Sequence, residues 1–126
     1  MSDSAARVLL VEDEQSAADV LVTILEFEGF SVKTAANGKR AIEMLDDVRP
    51  ELIITDYMMP IMNGIEMIKA VRAMPEYADI PILMTSAVSE EALRKHASIL
   101  SAFLRKPFQI EILLGTIRRL LSPEQI

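Results

Sequence analysis

Leu52-Ile53-Ile54-Thr55-Asp56-Tyr57-Met58-Met59-Pro60, with Gly64 shortly after, is the stretch from which the rest of this chain can be read. Its uninterrupted apolar start has the character of a parallel strand covered on both faces. Asp56 then stands where the strand ends and a loop opens to solvent. The same plan recurs. Val8-Leu9-Leu10-Val11 runs into Glu12, Asp13 and Glu14, and Ala102-Phe103-Leu104 runs into Arg105, Lys106 and Pro107. Ile82-Leu83-Met84 ends in Thr85 and Ser86, while Ser31-Val32-Lys33-Thr34-Ala35 alternates and predicts an edge strand.

Between the strands lie segments with helical spacing. Ala17, Val20, Leu21, Ile24, Leu25 and Phe27 form a predicted inward stripe, with Asp19, Thr23 and Glu26 facing away and Gly29 as the stop. Asn37 caps a second helix that buries Ala41, Ile42, Leu45 and Val48 and ends before Pro50. A third follows Gly64, with Ile65, Ile68 and Val71 inward, and ends by Pro75. Ser89 caps a fourth with a thin stripe of Leu93, Ala97 and Leu100. The fifth follows Pro107, buries Ile110, Leu113, Leu114, Ile117 and Leu121, and carries Gly115 in its interior.

The pattern is (βα) repeated five times, an α/β chain. Right-handed crossovers make of it a doubly wound parallel sheet of five strands, for which the order 2-1-3-4-5 is expected. The switch point of that order lies between strands 1 and 3, which end in Asp13 and Asp56. Residues 1–126 read as one domain with a core from about 6 to 121, and Ser122–Ile126 reads as a natural end or a linker stub.

Composition narrows the function. Of 126 residues, 51% are hydrophobic, so the chain is globular, and no apolar run approaches a membrane span. The first apolar run is too short for a signal peptide. There are no cysteines, which removes disulfides and thiolate chemistry and fits the cytoplasm. A net charge of −6 argues against direct nucleic acid binding.

The strand ends carry chemistry. Mg²⁺ prefers oxygen ligands, and Asp13 and Asp56 can supply carboxylates, Glu12 can hold a metal-bound water, and a carbonyl just after Asp56 can complete the set. Converging carboxylates raise one another's pKa, and a cation offsets that while leaving Asp56 ionised as a nucleophile. Lys106 can pair with Asp56 and then with a phosphoryl oxygen, and the Ser86 hydroxyl can donate to another. In-line phosphoryl transfer to Asp56 follows. Each residue also has an ordinary reading: a strand-end acid often caps a helix, and a Lys-Pro pair or a strand-end hydroxyl is a weak signal alone. Their convergence at four strand ends argues for a shared site.

These residues resemble the receiver domain of two-component response regulators, with its flavodoxin-like fold, over nearly the whole chain from Val8 to about Leu121. Val11-Glu12-Asp13-Glu14 is similar to the family's acidic pocket, Asp56-Tyr57-Met58-Met59-Pro60 with Gly64 to its phosphorylation loop, Ser86-Ala87 to its switch hydroxyl, and Lys106-Pro107-Phe108 to its lysine with a cis peptide. The resemblance implies Asp56 as phosphoacceptor and Mg²⁺ on Asp13, Asp56 and the Met58 carbonyl, with Glu12 assisting. It implies phosphoryl contacts from Ser86 and Lys106, and Phe103 as the switch aromatic. Phosphorylation would move Ser86, free space for Phe103 and reshape the face made by helix 4, strand 5 and helix 5. The implied partners are a histidine kinase or histidine phosphotransfer protein, a downstream protein, and a phosphorylation-dependent second copy. Ser101-Ala102 departs from the family's frequent Gly-Ala, and Phe103 lacks the common tyrosine's hydroxyl. Met58 and Val88 are apolar and unsuited to positioning water, so self-dephosphorylation is expected to be slow to moderate. Met58, Met59, Met62 and Met67 read mostly as core or loop filler, with an adaptable docking patch for a histidine kinase or phosphotransfer protein as the alternative, and His96 reads as a solvated surface residue rather than a ligand.

The leading expectation is a single-domain regulator that catalyses only its own phosphorylation and dephosphorylation. The receiver of a longer regulator, with a DNA-binding or enzymatic output domain, is the nearest alternative. A haloacid dehalogenase type of phosphatase would need a second acid two residues after the nucleophile, where Met58 stands. A nucleotide-binding reading fails because no Gly-rich loop follows strand 1.

Overall fold

In the computed structural model, which describes residues 5–122, the five strands are β1 Arg7–Val11, β2 Ser31–Ala35, β3 Leu52–Asp56, β4 Ile82–Ser86 and β5 Ala102–Arg105. They form one sheet in the order β2-β1-β3-β4-β5, and all four pairings are parallel. The expected order is therefore the observed one. The tail expected beyond Ser122 lies outside the described residues. β3 and β4 extend past their apolar runs because the backbone ladder continues through Asp56 opposite Thr85 and Ser86 opposite Arg105.

Helices α1 Gln15–Phe27, α2 Gly38–Val48, α3 Gly64–Arg72 and α4 Ile110–Leu121 cover the sheet. Alternate strand residues feed two cores, as period-two side chains require. Leu9, Val11, Ile53, Ile82 and Met84 meet Ala41 and Leu45 of α2 and Ile65, Ile68 and Val71 of α3 on one side. Val8, Leu10, Leu52, Ile54 and Leu83 meet Ala18 and Leu25 of α1 and Leu113, Leu114 and Ile117 of α4 on the other. On edge strand β2, Val32 joins the second core and Ala35 the first. Local signals agree with this packing. Asn37 accepts from the Arg40 N–H at 2.9 Å and opens α2. Gly29, at φ 96°, closes α1, with its N–H on Glu26 and that of Phe30 on Leu25, the Schellman pairing.

Two expectations need correction. The inward stripe of α1 is Ala18, Leu21, Val22 and Leu25, and the predicted core residues Val20 and Phe27 are 57% and 88% exposed. The helix has enough apolar residues for two overlapping stripes. Small Ala18 with Leu25 fits the sheet, and the i, i+3, i+4, i+7 row through them wins. The fourth helical segment is a 3-10 helix, Glu91–Ile99, rather than an α-helix. Three residues per turn brings i and i+3 into line, so the inward row is Leu93, His96 and Ile99. Ala97 is exposed, and His96 is partly exposed. Ser89 Oγ does accept from the Ala92 N–H, at 3.2 Å.

A methyl group added at Gly115 of α4 would meet nothing within 4 Å. Gly115→Ala is expected to raise stability by about 1 kcal/mol through helix propensity and a less flexible unfolded chain, read as a higher denaturant midpoint. At the end of the sheet where the strands begin, a hollow of about 520 Å³ is lined by Arg49, Glu51, Tyr77, Ile80, Leu120 and Leu121. The Arg7 N–H donates to Glu51 Oε1 at the same end.

Candidate functional site

At the opposite end, where the strands finish, register fixes the neighbours. Val11 pairs with Thr55 and Asp56 with Thr85, so the residues following β1 lie beside the end of β3. Carboxylate oxygens of Glu12, Asp13 and Asp56 come within 4.8 Å of one another. Glu12 is buried at 7% exposure, Asp13 is exposed and Asp56 lies between. Lys106 enters from the end of β5, with Nζ 3.2 Å from Asp56 Oδ2 and 3.4 Å from Glu12 Oε1. The Tyr57 N–H donates to Asp56 Oδ1 at 2.7 Å, so both Asp56 oxygens are oriented. The peptide between Lys106 and Pro107 is cis. Glu14 leaves the cluster: its carboxylate caps α1, accepting from the Ala17 N–H at 2.8 Å and from the Ser16 hydroxyl at 2.7 Å.

Burial pushes the Glu12 carboxyl above its usual range, against the lowering effects of the Glu14 N–H and Lys106. Burial alone would lower the Lys106 ammonium, but Asp56 and Glu12 outweigh it and the net direction is up. An acid raised on folding loses stability as pH climbs from its ordinary value through the raised one. Glu12→Gln is therefore expected to be more stable than the parent at neutral pH without divalent cation. The difference should vanish below the ordinary glutamate range, as followed by thermal unfolding across pH. An all-oxygen set of this spacing can hold a hard divalent cation, which would offset the mutual repulsion.

Ser86 is fully buried at the end of β4. Its Oγ accepts from the Val88 N–H at 3.1 Å, which leaves its own proton free to donate. Phe103 of β5, opposite Met84, packs on the α2–α3 core. It also lines a groove of about 420 Å³ with Leu93, Arg94, Ala97 and Leu100. Met58 is 63% exposed, Met67 is buried, and Met59 and Met62 pack on the core.

Several contributors were not legible in the sequence. The loop after Asp56 is fastened by the Gly64 N–H on the Tyr57 carbonyl at 2.8 Å and the Gly38 N–H on the Met62 carbonyl at 3.1 Å. A Cβ on Gly38 would lie 2.8 Å from Met67 Cβ and 2.9 Å from the Met62 carbonyl oxygen. Asn37-Gly38 signalled only a helix start. Ile61 stands at φ 70° in a tight turn closed by the Met62 N–H on the Pro60 carbonyl at 2.7 Å. A β-branched residue is the least expected occupant there, and nothing in the sequence announces it. Ser101, which departs from the family's glycine, pairs twice with Ile82: its N–H on the carbonyl and its Oγ accepting the N–H, both at 2.9 Å.

The response regulator receiver domain family matches residues 8–118. Response regulator MprA of Mycobacterium leprae is 37% identical over 91% of this chain and 50% of its own length. The chain spans about half the length of the curated relatives it matches. The chemotaxis response regulator CheY4 of Vibrio cholerae superposes with a TM-score of 0.86 at 35% identity, over 94% of this chain and 100% of that one. The response regulator TrrA of Thermotoga maritima, solved in complex with Mg(2+)-BeF, gives a TM-score of 0.83 at 27% identity over 92% of this chain and 99% of that one. With both the sequence pattern and the fold in agreement, this chain belongs to the response regulator receiver domains.

Proposed function

We propose that the chain accepts a phosphoryl group on Asp56, from a histidine kinase or a histidine phosphotransfer protein, in a Mg²⁺-dependent reaction. As a receiver domain it is a signalling domain rather than a classical enzyme, and the chemistry proposed is confined to its own phosphorylation and dephosphorylation. The reading rests on the convergence of three carboxylates and one lysine at the ends of β1, β3 and β5.

Asp13, Asp56 and the Met58 carbonyl would hold Mg²⁺, with Glu12 acting through a water. The ion would neutralise charge on the carboxylates and on the transferring group. An Asp56 oxygen attacks phosphorus while the bond to the donor's nitrogen or oxygen breaks, leaving an acyl phosphate. Lys106 exchanges its partner Asp56 for a phosphoryl oxygen, and Ser86 donates its hydroxyl proton to another while still accepting from Val88. The new dianionic group then biases the face made by Glu91–Ile99, β5 and α4, with Phe103 turning inward, toward a partner-binding form.

Incubation with acetyl phosphate and Mg²⁺, read by intact mass, tests this. One phosphoryl group should be gained, with acetate released, and none without Mg²⁺ or in Asp56→Asn. An adduct persisting in Asp56→Asn, or no adduct in the parent, would overturn it. With apolar Met58 and Val88 flanking the site, the adduct should decay over minutes or longer. Decay within seconds would count against that part. Catalytic turnover of a phosphate ester would instead favour a phosphatase.

Two observations bear on the setting. Full coverage of CheY4 supports a receiver acting alone and signalling through a protein partner or a second copy. Relatives of twice the length support a receiver joined to an output domain. The length of the native reading frame distinguishes them.

A further inference from the structure

The loop of residues 57–63 runs from the nucleophile at the end of β3 to the start of α3. Its neck is closed by the Gly64 N–H on the Tyr57 carbonyl at 2.8 Å. Its far side is held by another element: Gly38, the first residue of α2, donates its N–H to the Met62 carbonyl at 3.1 Å. The chain between these two grips has little freedom. Met59 precedes a proline, which confines its backbone, and the ring of Pro60 fixes φ. Ile61, at φ 70°, is the centre of a three-residue turn closed at 2.7 Å by the Met62 N–H on the Pro60 carbonyl, a γ-turn of the rare, strained kind. The Ile61 side chain is 77% exposed, so its own packing does not offset that strain, and the surroundings must hold it. Met59 and Met62 seat the loop on the core, but their side chains are unbranched and adaptable. The main-chain grips set its frame.

We propose that Gly38 is a positioning residue for the metal: through the Met62 carbonyl it fixes the loop that carries the Met58 carbonyl, so that the start of α2 sets how well the acidic mouth fits Mg²⁺. Gly38 leaves no room for a side chain. A Cβ there would lie 2.9 Å from the Met62 carbonyl oxygen and 2.8 Å from Met67 Cβ, which is attached to the α3 backbone and cannot rotate away. Restoring ordinary contact, at roughly 3.4 Å, moves the Met62 carbonyl or the start of α2 by about half an ångström. Either movement opens the grip. Pro60 and the turn at Ile61 are too stiff to absorb the shift, so it reaches Met58. A displacement of about half an ångström is already the tolerance of a functional site. Mg²⁺ demands near-ideal octahedral geometry at about 2.0–2.1 Å, whereas Ca²⁺ accepts flexible sets at about 2.3–2.6 Å. Loosening the grip therefore penalises Mg²⁺ more than Ca²⁺. The inference rests on the Met58 carbonyl serving as a metal ligand, as proposed above.

The test is NMR titration of the full chain with Mg²⁺ and, separately, Ca²⁺, for parent, Gly38→Ala and Tyr77→Phe. Tyr77→Phe is the control: it removes the hydroxyl's bonds to the Leu45 carbonyl and Asp46, loosening the other end of α2 without touching the grip. In Gly38→Ala the Kd for Mg²⁺ should rise about tenfold and that for Ca²⁺ about twofold or less. In Tyr77→Phe both should match the parent. An unchanged Mg²⁺ Kd in Gly38→Ala, an equal loss of both cations, or the same loss in Tyr77→Phe would overturn the proposal. Coupling between metal and grip is reciprocal, so the parent alone carries the test if Gly38→Ala fails to fold. Saturating Mg²⁺ should slow amide exchange at Gly38 about threefold or more relative to Ala41, whose N–H bonds the Asn37 carbonyl in the same helix. Equal slowing at both, or none, sinks the idea. A parent whose signals near Asp56 respond to neither cation would bring down the metal reading as well. Mg²⁺ binding indifferent to Gly38 would bring down this inference alone.

Discussion

Gly64→Ala should cost about 3 kcal/mol of stability and most of the phosphorylation at Asp56. A Cβ at this position overlaps the Asp56 carbonyl oxygen and lies 2.9 Å from Met84 Cε and 3.1 Å from Tyr57 Cα. The methionine end can swing away, but the two main-chain atoms belong to the residue that carries the nucleophile and to its neighbour. Relief therefore requires moving Asp56 out of register with Lys106, or parting the Gly64 N–H from the Tyr57 carbonyl. Denaturant unfolding gives the first effect, and the rate of acetyl phosphate labelling in the folded fraction gives the second. Gly115→Ala, the same substitution in open space, is the internal control with the opposite sign. Equal behaviour of the two variants would mean that the chain around Gly64 relaxes its close approach at no cost.

Lys106→Ala should remove about 2 kcal/mol at neutral pH without Mg²⁺, because it leaves Glu12 and Asp56 facing each other unpaired. That is less than the loss for a fully buried pair, since the Lys106 side chain is 32% exposed and water screens part of the effect. The sign follows from the raised ammonium. Its contribution is complete below the ordinary lysine range and disappears as pH rises through the raised value. Parent and variant should therefore converge in alkali. They should also converge in acid, as the carboxylates take up protons, with Glu12 among the first because burial raises it. Saturating Mg²⁺ should narrow the neutral gap, since a cation on the same oxygens replaces part of the lost charge. Labelling by acetyl phosphate should fall about tenfold or more, the loss of one charge-assisted hydrogen bond. A gap that is flat from acid to alkali would rule out charge as its cause.

How much of this was legible differs by element. Continuous apolar runs ending in Asp56, Asp13 and Lys106 announced buried parallel strands, and strand order followed from topology alone. The convergence of Glu12, Asp13, Asp56 and Lys106 could be read because strand ends are fixed by the sheet, which brings these side chains to one edge. The face of α1 could not be read with the same security. With apolar residues at Val20, Val22, Ile24, Leu25 and Phe27, the sequence allows more than one stripe, and the selection is made by Ala18 against the sheet. The 3-10 winding of Glu91–Ile99 escaped because a thin apolar row of Leu93, Ala97 and Leu100 fits a helix of either pitch poorly. The grip of Gly38 escaped for another reason: its partner is a carbonyl contributed by distant chain, and main-chain acceptors leave no trace in side-chain identity.

The hollow at the start of the strands has a geometric corollary. Arg7 enters the sheet beside Glu51, and Leu120 and Leu121 line the same hollow as α4 finishes. Both described ends of the chain therefore emerge on the floor of the molecule, one sheet-length from Asp56. Cargo joined to either end, whether a purification handle, a fluorescent protein or an extra module, starts from the side away from the acidic mouth. It would have to fold back along a whole helix to shade it. Tethering through these ends, for instance to a sensor surface, should accordingly leave the mouth open to an incoming donor.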